Sequence, residues 1–205
     1  MSNYRQYIIS GIGTEVGKTV VSAIISEALS ATYWKPIQAG ELDQSDSIKI
    51  ADYTESVKIL PEAFKLNYAM SPHAAALKDG VSIDESDLEI PNVEGHLIIE
   101  GAGGLMVPVN SNGLLYVDLF SKWELPLILV SRHYLGSINH TLMSIEILQK
   151  RNIEIAGIVF IGDENETTEK AILATSGCKM IARIPLVSKV DKAFVMEQAK
   201  VFGSI

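Results

Sequence analysis

The chain has 205 residues, 47% hydrophobic and 20% charged, which suits one globular domain with a sizeable core. Its 17 Lys and Arg against 25 Asp and Glu give a net charge of −8 without a dense basic cluster, which argues against nucleic acid or an anionic membrane as partner, since both require a basic surface. The single Cys178 excludes an intramolecular disulfide and a cysteine metal cage; no apolar run approaches a membrane span, and the short polar start Met1–Gln6 is not a signal peptide, so a cytoplasmic location is expected.

The first apolar run, Tyr7–Ser10, reads as a buried strand. It leads into Gly11-Ile12-Gly13-Thr14-Glu15-Val16-Gly17-Lys18-Thr19 and then a helical pattern over Lys18–Ser30. A strand, a glycine-rich turn and a helix opening on Gly-Lys-Thr form a phosphate-binding loop. Its backbone N–H groups and the positive helix end hold a phosphate chain. Lys18 would reach the terminal phosphates, and the Thr19 hydroxyl would bind Mg²⁺. The spacing is unusual: five residues separate Gly11 from Gly17 and three separate Gly13 from it, where the common pattern has four.

A short strand at Thr32–Trp34 precedes Lys35-Pro36, which puts a lysine at a strand tip where it can neutralise developing phosphoryl charge. The loop Glu41-Leu42-Asp43-Gln44-Ser45-Asp46 offers two carboxylates for a hard cation, Asp43 and Asp46, which spacing alone does not separate. From about 40 to 95 the chain reads as an excursion over the site, with helical pieces at Asp46–Tyr53 and Ser71–Lys78. A strand at His96–Ile99 then delivers Glu100 at its tip, followed by Gly101-Ala102-Gly103-Gly104. An acid there is placed to bind Mg²⁺ directly or through water, and the glycines allow close backbone approach.

Further strands are expected at Leu127–Val130, Ala156–Ile161 and Lys179–Ile184, with helices at Ser137–Lys150, Glu166–Thr175 and a packed terminal helix within Lys189–Phe202. Strand–helix alternation predicts one α/β domain over 1–205, of the phosphate-loop nucleotidase type, with a mostly parallel sheet flanked by helices. Such sheets bind ligands at the carboxyl ends of their strands. Gly136-Ser137 opens a helix with Ser137 as its cap, and its free N–H groups could bind a carboxylate. That helix has two apolar arcs, Ile138, Leu142 and Ile145 against Met143 and Ile147, which suggests a homodimer through residues 136–151. His73 and His140 have no partner at metal-ligand spacing and read as structural.

Taken in order, these motifs resemble the dethiobiotin synthetase family over nearly the whole chain. Gly11–Thr19 resembles its elongated phosphate loop, including the Thr14-Glu15-Val16 insert. Lys35-Pro36-Ile37-Gln38-Ala39-Gly40 resembles its lysine–proline motif, Ser45-Asp46 its metal-binding aspartate, and Ile184-Pro185-Leu186 the segment near the nucleotide base. Ser71-Pro72-His73, Glu100–Gly104 and Leu135–His140 complete the set. The resemblance implies an Mg²⁺- and ATP-dependent ligase that carboxylates 7,8-diaminopelargonic acid with CO₂ and closes the cyclic urea, through a carbamate and a carbamic–phosphoric anhydride.

By the same resemblance Lys35, Lys18 and Thr14 serve the reaction, and Thr19, Asp46 and Glu100 organise the metal. Nucleotide contacts fall to Gly13, Thr14, Glu15, Val16, Gly17, Lys18, Thr19, Val20, Asp46, Glu100, Gly101, Ala102, Gly103, Pro185, Leu186 and Val187. Substrate contacts fall to Thr14, Lys35, Ala39 and Gly103, with the tail carboxylate on Gly136, Ser137, Ile138 and Asn139 of a second subunit. Two positions depart from the family. Ala39 stands where a small hydroxyl residue is common, and Ile161 where an Asn commonly reads the adenine edge, so other nucleoside triphosphates are expected to serve nearly as well as ATP. The second reading is a phosphate-loop partition or division-site switch ATPase, which shares the Gly-Lys-Thr and the strand-tip acid. That class carries an extra lysine early in the loop, where this chain has Ile12-Gly13-Thr14.

Overall fold

Ile8 and Ile9 are neighbours that point to opposite faces of one strand, and both are fully buried. That is the signature of a sheet covered on both sides, and it explains why the strands read as unbroken apolar runs. The computed structural model describes residues 4–202; the polar start Met1–Asn3 and the last residues, Gly203–Ile205, lie outside the described residues. In chain order the elements are β1 (Gln6–Gly11), α1 (Lys18–Leu29), β2 (Thr32–Trp34), β3 (Ile37–Ala39), α2 (Asp46–Tyr53), β4 (Lys58–Ile59), β5 (Phe64–Leu66), α3 (Pro72–Asp79), β6 (Leu97–Gly104), α4 (Tyr116–Trp123), β7 (Leu127–Arg132), α5 (Ser137–Lys150), β8 (Ile155–Ile161), α6 (Glu166–Ser176), β9 (Met180–Ile184) and α7 (Lys192–Phe202).

Seven strands pair in the order β4-β2-β6-β1-β7-β8-β9, all parallel. One face packs Ile8, Leu97, Ile99, Leu129 and Phe160 against α4, α5 and α6 through Phe120, Leu148 and Ile172. The other packs Ile9, Ile98, Ile128 and Val159 against α1 and α7 through Ile24, Val195 and Phe202. The strand order reverses beside β1, so the phosphate loop leaves the sheet at the crevice where such folds bind ligands.

Residues 40–95 are more structured than a covering loop. β4 extends the main sheet at its β2 edge, and β5 pairs with β3 in a separate two-stranded parallel sheet. α4 was not among the expected helices; Asp118 caps its start by accepting from the Leu115 N–H at 2.9 Å.

The helix α5 differs from its expected arcs. Its inner face is Ser137, Thr141, Ser144, Ile145 and Leu148, whereas Ile138 and Met143 face outward. Small hydroxyls can lie inside because they find partners there. Thr141 Oγ1 donates to the Ser137 carbonyl at 2.6 Å, Ser144 Oγ donates to the His140 carbonyl at 2.8 Å, and Ser131 shares a 2.8 Å hydrogen bond with Thr141. The cap differs too: Gly136, at φ 104°, occupies the cap position, and Ser137 is the buried first residue of the helix.

Candidate active site

The phosphate loop turns through two left-handed residues, Glu15 at φ 57° and Gly17 at φ 95°. A side chain at Gly17 would be strained by that backbone and would press on Ile161. With Gly17 as its cap, α1 begins without a capping side chain, so its first N–H groups remain available to an anion. Lys18 folds back so that Nζ donates to the Gly13 carbonyl at 2.9 Å. Burial, and then the nearby Lys35 charge, pull the Lys18 ammonium down to about 8. Arg132, at the end of β7, braces the loop through Nη1 and the Glu15 carbonyl at 3.2 Å.

Beside the loop lies a buried cluster of charge. The register places Ile9 opposite Glu100 and Trp34 opposite Ile99, so Glu100 emerges between the end of β1 and Lys35. The strand does not end there but continues to Gly104. Glycine is required in that extension mainly by the protein itself. A Cβ on Gly101 would lie 2.8 Å from the Phe120 ring, and Gly103 sits at φ 65° with Val107 2.8 Å from its missing Cβ.

Glu100 is fully buried. Its Oε1 accepts from Thr19 Oγ1 at 3.0 Å and Lys35 Nζ at 3.1 Å, and its Oε2 accepts from the Tyr33 hydroxyl at 2.9 Å. Lys35 also reaches Asp46 Oδ2 at 2.7 Å and the Gly101 carbonyl at 2.9 Å. All three ammonium hydrogens thus have acceptors. Burial lowers the Lys35 pKa, but Glu100 and Asp46 together outweigh it and hold the group above its ordinary value. For Asp46 burial acts upward, and the Lys35 charge and hydrogen bond bring the carboxyl below its usual range.

Asp46 opens α2 behind the Ser45 cap, whose Oγ accepts from the Ile48 N–H at 3.3 Å. Gln38 fixes that corner by accepting from the Asp46 N–H at 3.2 Å and donating to the Gly40 carbonyl at 2.9 Å. Asp43 is exposed on the short turn before α2. Of the two carboxylates the sequence left open, Asp46 is the one at the cluster.

A cavity of about 870 Å³ opens over these groups. Thr14, Glu15, Gly17, Lys18, Thr19, Val20, Lys35, Ala39, Asp46, Glu100, Ala102 and Gly103 line it. Gly13, Val16 and Gly101 are not in this wall: the Gly13 and Gly101 carbonyls accept from Lys18 and Lys35, and Val16 is buried. Gly136–Asn139 and Pro185–Val187 are not part of this wall. Gly136, Ile138 and Asn139 are exposed at the start of α5, and Pro185, Leu186 and Val187 are exposed after β9. The neighbouring strand end, Ile161, packs under Gly17.

Sequence reasoning missed Tyr33, Gln38 as a brace, and the lining residues Glu41, Lys49, Tyr53 and Met70. Gln38 sits inside a recognisable motif, but nothing in the pattern tells that its amide holds a helix start. His140 Nδ1 is paired with the Tyr134 hydroxyl at 2.7 Å, in keeping with a structural histidine.

The oxygen donors Thr19, Asp46 and Glu100 suit a hard cation that also takes phosphate oxygens and water. Among the described residues no group of three or more His, Cys, Asp or Glu side chains is placed to hold a metal ion. Tyr134, Leu135, Ile138 and Met143 are exposed apolar or aromatic side chains at and beyond the start of α5, with Leu135 wholly in solvent.

The chain is similar to known proteins. A family model described as an AAA domain matches residues 5–193. A protein of Christiangramia forsetii named ATP-dependent dethiobiotin synthetase BioD is 52% identical, over 97% of this chain and 96% of its own. One of the same name from Rhodopseudomonas palustris is 46% identical over 90% and 89%. Among solved structures, a ParA family ATPase from Chlorobium tepidum superposes with TM-score 0.60 at 13% identity, covering 97% of this chain and 91% of that one. The cell division ATPase MinD of Pyrococcus furiosus gives 0.55 at 17%, covering 96% and 97%. At such identities these two likenesses are ones of fold.

Proposed function

The chain belongs to the dethiobiotin synthetase family, ATP-dependent ligases of biotin biosynthesis, and from that premise we propose that its site carboxylates and cyclises 7,8-diaminopelargonic acid. One amine takes up CO₂ as a carbamate and releases a proton. A carbamate oxygen attacks the γ-phosphorus of ATP, and ADP leaves. The second amine then attacks the carbonyl carbon of the mixed anhydride and gives up a proton; the C–O bond to the phosphate breaks, phosphate leaves, and the cyclic urea remains.

The observation that carries this reading is the convergence of Thr19, Lys35, Asp46 and Glu100 beside the phosphate loop, on one wall of a cavity large enough for a triphosphate tail and a diamine. The protein's part is to position and neutralise. The loop amides and Lys18 hold phosphate oxygens. Thr19, Asp46 and Glu100 would hold Mg²⁺, which when bound draws charge from the γ-phosphate. Lys35 exchanges one of its three acceptors for the carbamate or γ-phosphate. Thr14 and Gly103, adjacent on the wall, border the reacting end of the diamine. Ala39 has no side-chain donor, so contact there is through backbone or water.

The active unit in this reading is a homodimer. The exposed apolar surface at Tyr134–Met143 supplies the interface, and the uncapped start of α5 at Gly136–Asn139 receives the tail carboxylate of a substrate held by the other subunit. No helix among the described residues is long and apolar enough to cross a membrane, and we place the enzyme in the cytoplasm.

The test is phosphate release by the purified protein with MgATP and bicarbonate, with and without 7,8-diaminopelargonic acid, and the product mass. Diamine-dependent phosphate and the cyclic urea mass are expected. Hydrolysis stimulated by DNA or lipid and indifferent to the diamine would instead support the switch ATPase.

A further inference from the structure

Glu100 is wholly buried, and the orientation of its carboxylate plane sets whether one oxygen or both face the phosphate loop. Tyr33 bears on that orientation. Its strand β2 runs parallel to β6 with Tyr33 opposite Ile98. Because side chains alternate between faces, Tyr33, Ile98 and Glu100 share the face that α1 covers. From that diagonal position the Tyr33 hydroxyl donates to Glu100 Oε2 at 2.9 Å. Oε1 is thereby turned toward Thr19 and Lys35. The ring itself is fully buried in the core under α1, so the hydroxyl is held by packing.

We propose that Tyr33 is a positioning residue for the reaction: its hydroxyl locks the Glu100 carboxylate so that a single oxygen faces the metal–phosphate position. A carboxylate free to rotate about its last bond would divide its time between presenting one oxygen and both. The inference rests on the dethiobiotin synthetase reading for the chemistry but not for the geometry.

The test compares Tyr33→Phe with the wild type by calorimetric titration of ADP, once with Mg²⁺ and once with EDTA. A positioning role weakens MgADP binding about tenfold, the scale of one hydrogen bond to a charged group, and leaves metal-free ADP within about twofold. The Mg²⁺ concentration for half-maximal dethiobiotin formation rises in step, and KM for the diamine stays unchanged. Because Tyr33 acts through Glu100, adding Tyr33→Phe to Glu100→Gln produces no further loss. Equal weakening of ADP and MgADP, no change in either, or multiplying losses in the double variant would overturn it. Should Phe at this position fail to fold, Tyr33→Met fills similar space without a donor and is read the same way. A wild type that binds MgADP with this Tyr33 dependence but makes no dethiobiotin would sink the reaction and leave the inference standing.

Discussion

Lys35 Nζ lies 2.7 Å from Asp46 Oδ2, and neither Lys35 nor its other carboxylate partner, Glu100, is open to water. The lysine follows a core strand and the aspartate opens a helix, so the pair ties α2 to the sheet. Replacing Lys35 by Met leaves Glu100 buried with one fewer donor and Asp46 with only the more distant Lys49, 3.9 Å away, as counter-charge. We expect a loss of roughly 2–4 kcal/mol, because a buried charge stripped of its partner costs more than the pair contributes. Dethiobiotin formation should fall at least about a hundredfold with the loss of transition-state charge stabilisation. Asp46, with its folded pKa below the ordinary 3.8, contributes stability that is complete above that value and lost as pH falls below it. Lys35→Met should therefore flatten the acid limb of the stability curve. Urea midpoints between pH 6 and 2.5 for both proteins measure this, and parallel curves would refute it.

Lys18 gives a slope of the same sign, but in the alkaline range. Its folded pKa of about 8 lies below the ordinary 10.5, so between those values the unfolded chain binds more protons and stability rises with pH. The gain is about 1.4 kcal/mol per pH unit in that window, and it should vanish in Lys18→Met. Phosphates beside Lys18 restore its charge, so nucleotide binding near pH 8 should take up a fraction of a proton. Calorimetry at pH 8 in two buffers of different ionisation enthalpy reads this directly; identical enthalpies would refute it.

Tyr116 is the counterpart of Tyr33. Both are fully buried, but the Tyr116 hydroxyl has no hydrogen-bond partner among the described residues. Tyr116→Phe removes a desolvated group that gains nothing in return and should stabilise the protein by up to about 1 kcal/mol. For a chain of this size that is a rise of roughly 2–4 °C in Tm. A fall would mean that the hydroxyl has a partner after all.

The strands that frame the site were legible because parallel strands buried on both faces leave continuous apolar runs, as in Leu127–Val130. β4 and β5, of two and three residues, are too short to carry a period. In α4 the run Tyr116-Val117-Asp118-Leu119-Phe120 mixes aromatic and aliphatic residues without a long helical period; the Asp118 cap and burial against the sheet support the helix. In α5 the periodic rule failed because hydroxyls that bond the preceding turn can replace apolar residues on an inner face. At the site, motif order brought out Lys18, Lys35, Asp46 and Glu100. Tyr33 and Gln38 stayed hidden because their work is to hold other side chains, which depends on strand register and leaves no local pattern.

The outward face at the start of α5 should act as an interface. Leu135 is wholly exposed, and Met143 is 53% exposed. A charge at either position would be desolvated without a partner in a dimer and would cost nothing in a monomer. Leu135→Asp and Met143→Asp should each shift the protein from two chains to one in sedimentation equilibrium, with little change in the thermal stability of the monomer. The monomer should still bind MgADP but lose affinity for the diamine, because in the proposed dimer the carboxylate site comes from the second subunit. A dimer that persists in both variants would rule this face out.

Base selectivity should be low. β8 ends in Ile161, which is 5% exposed and packed under Gly17, so its side chain offers a base neither donor nor acceptor. The chain beyond β9 presents Pro185, Leu186 and Val187 to solvent, where backbone groups and aliphatic surface can hold a ring without reading its edge. A single edge hydrogen bond that discriminates is worth about tenfold. Turnover with ATP, GTP and CTP at equal Mg²⁺ should therefore fall within about that factor. An ATP preference above about a hundredfold, roughly 2.7 kcal/mol, would show that the backbone after β9 reads the adenine edge. In that case Ile161→Asn should add little, whereas in a permissive site the same substitution should create a preference for ATP.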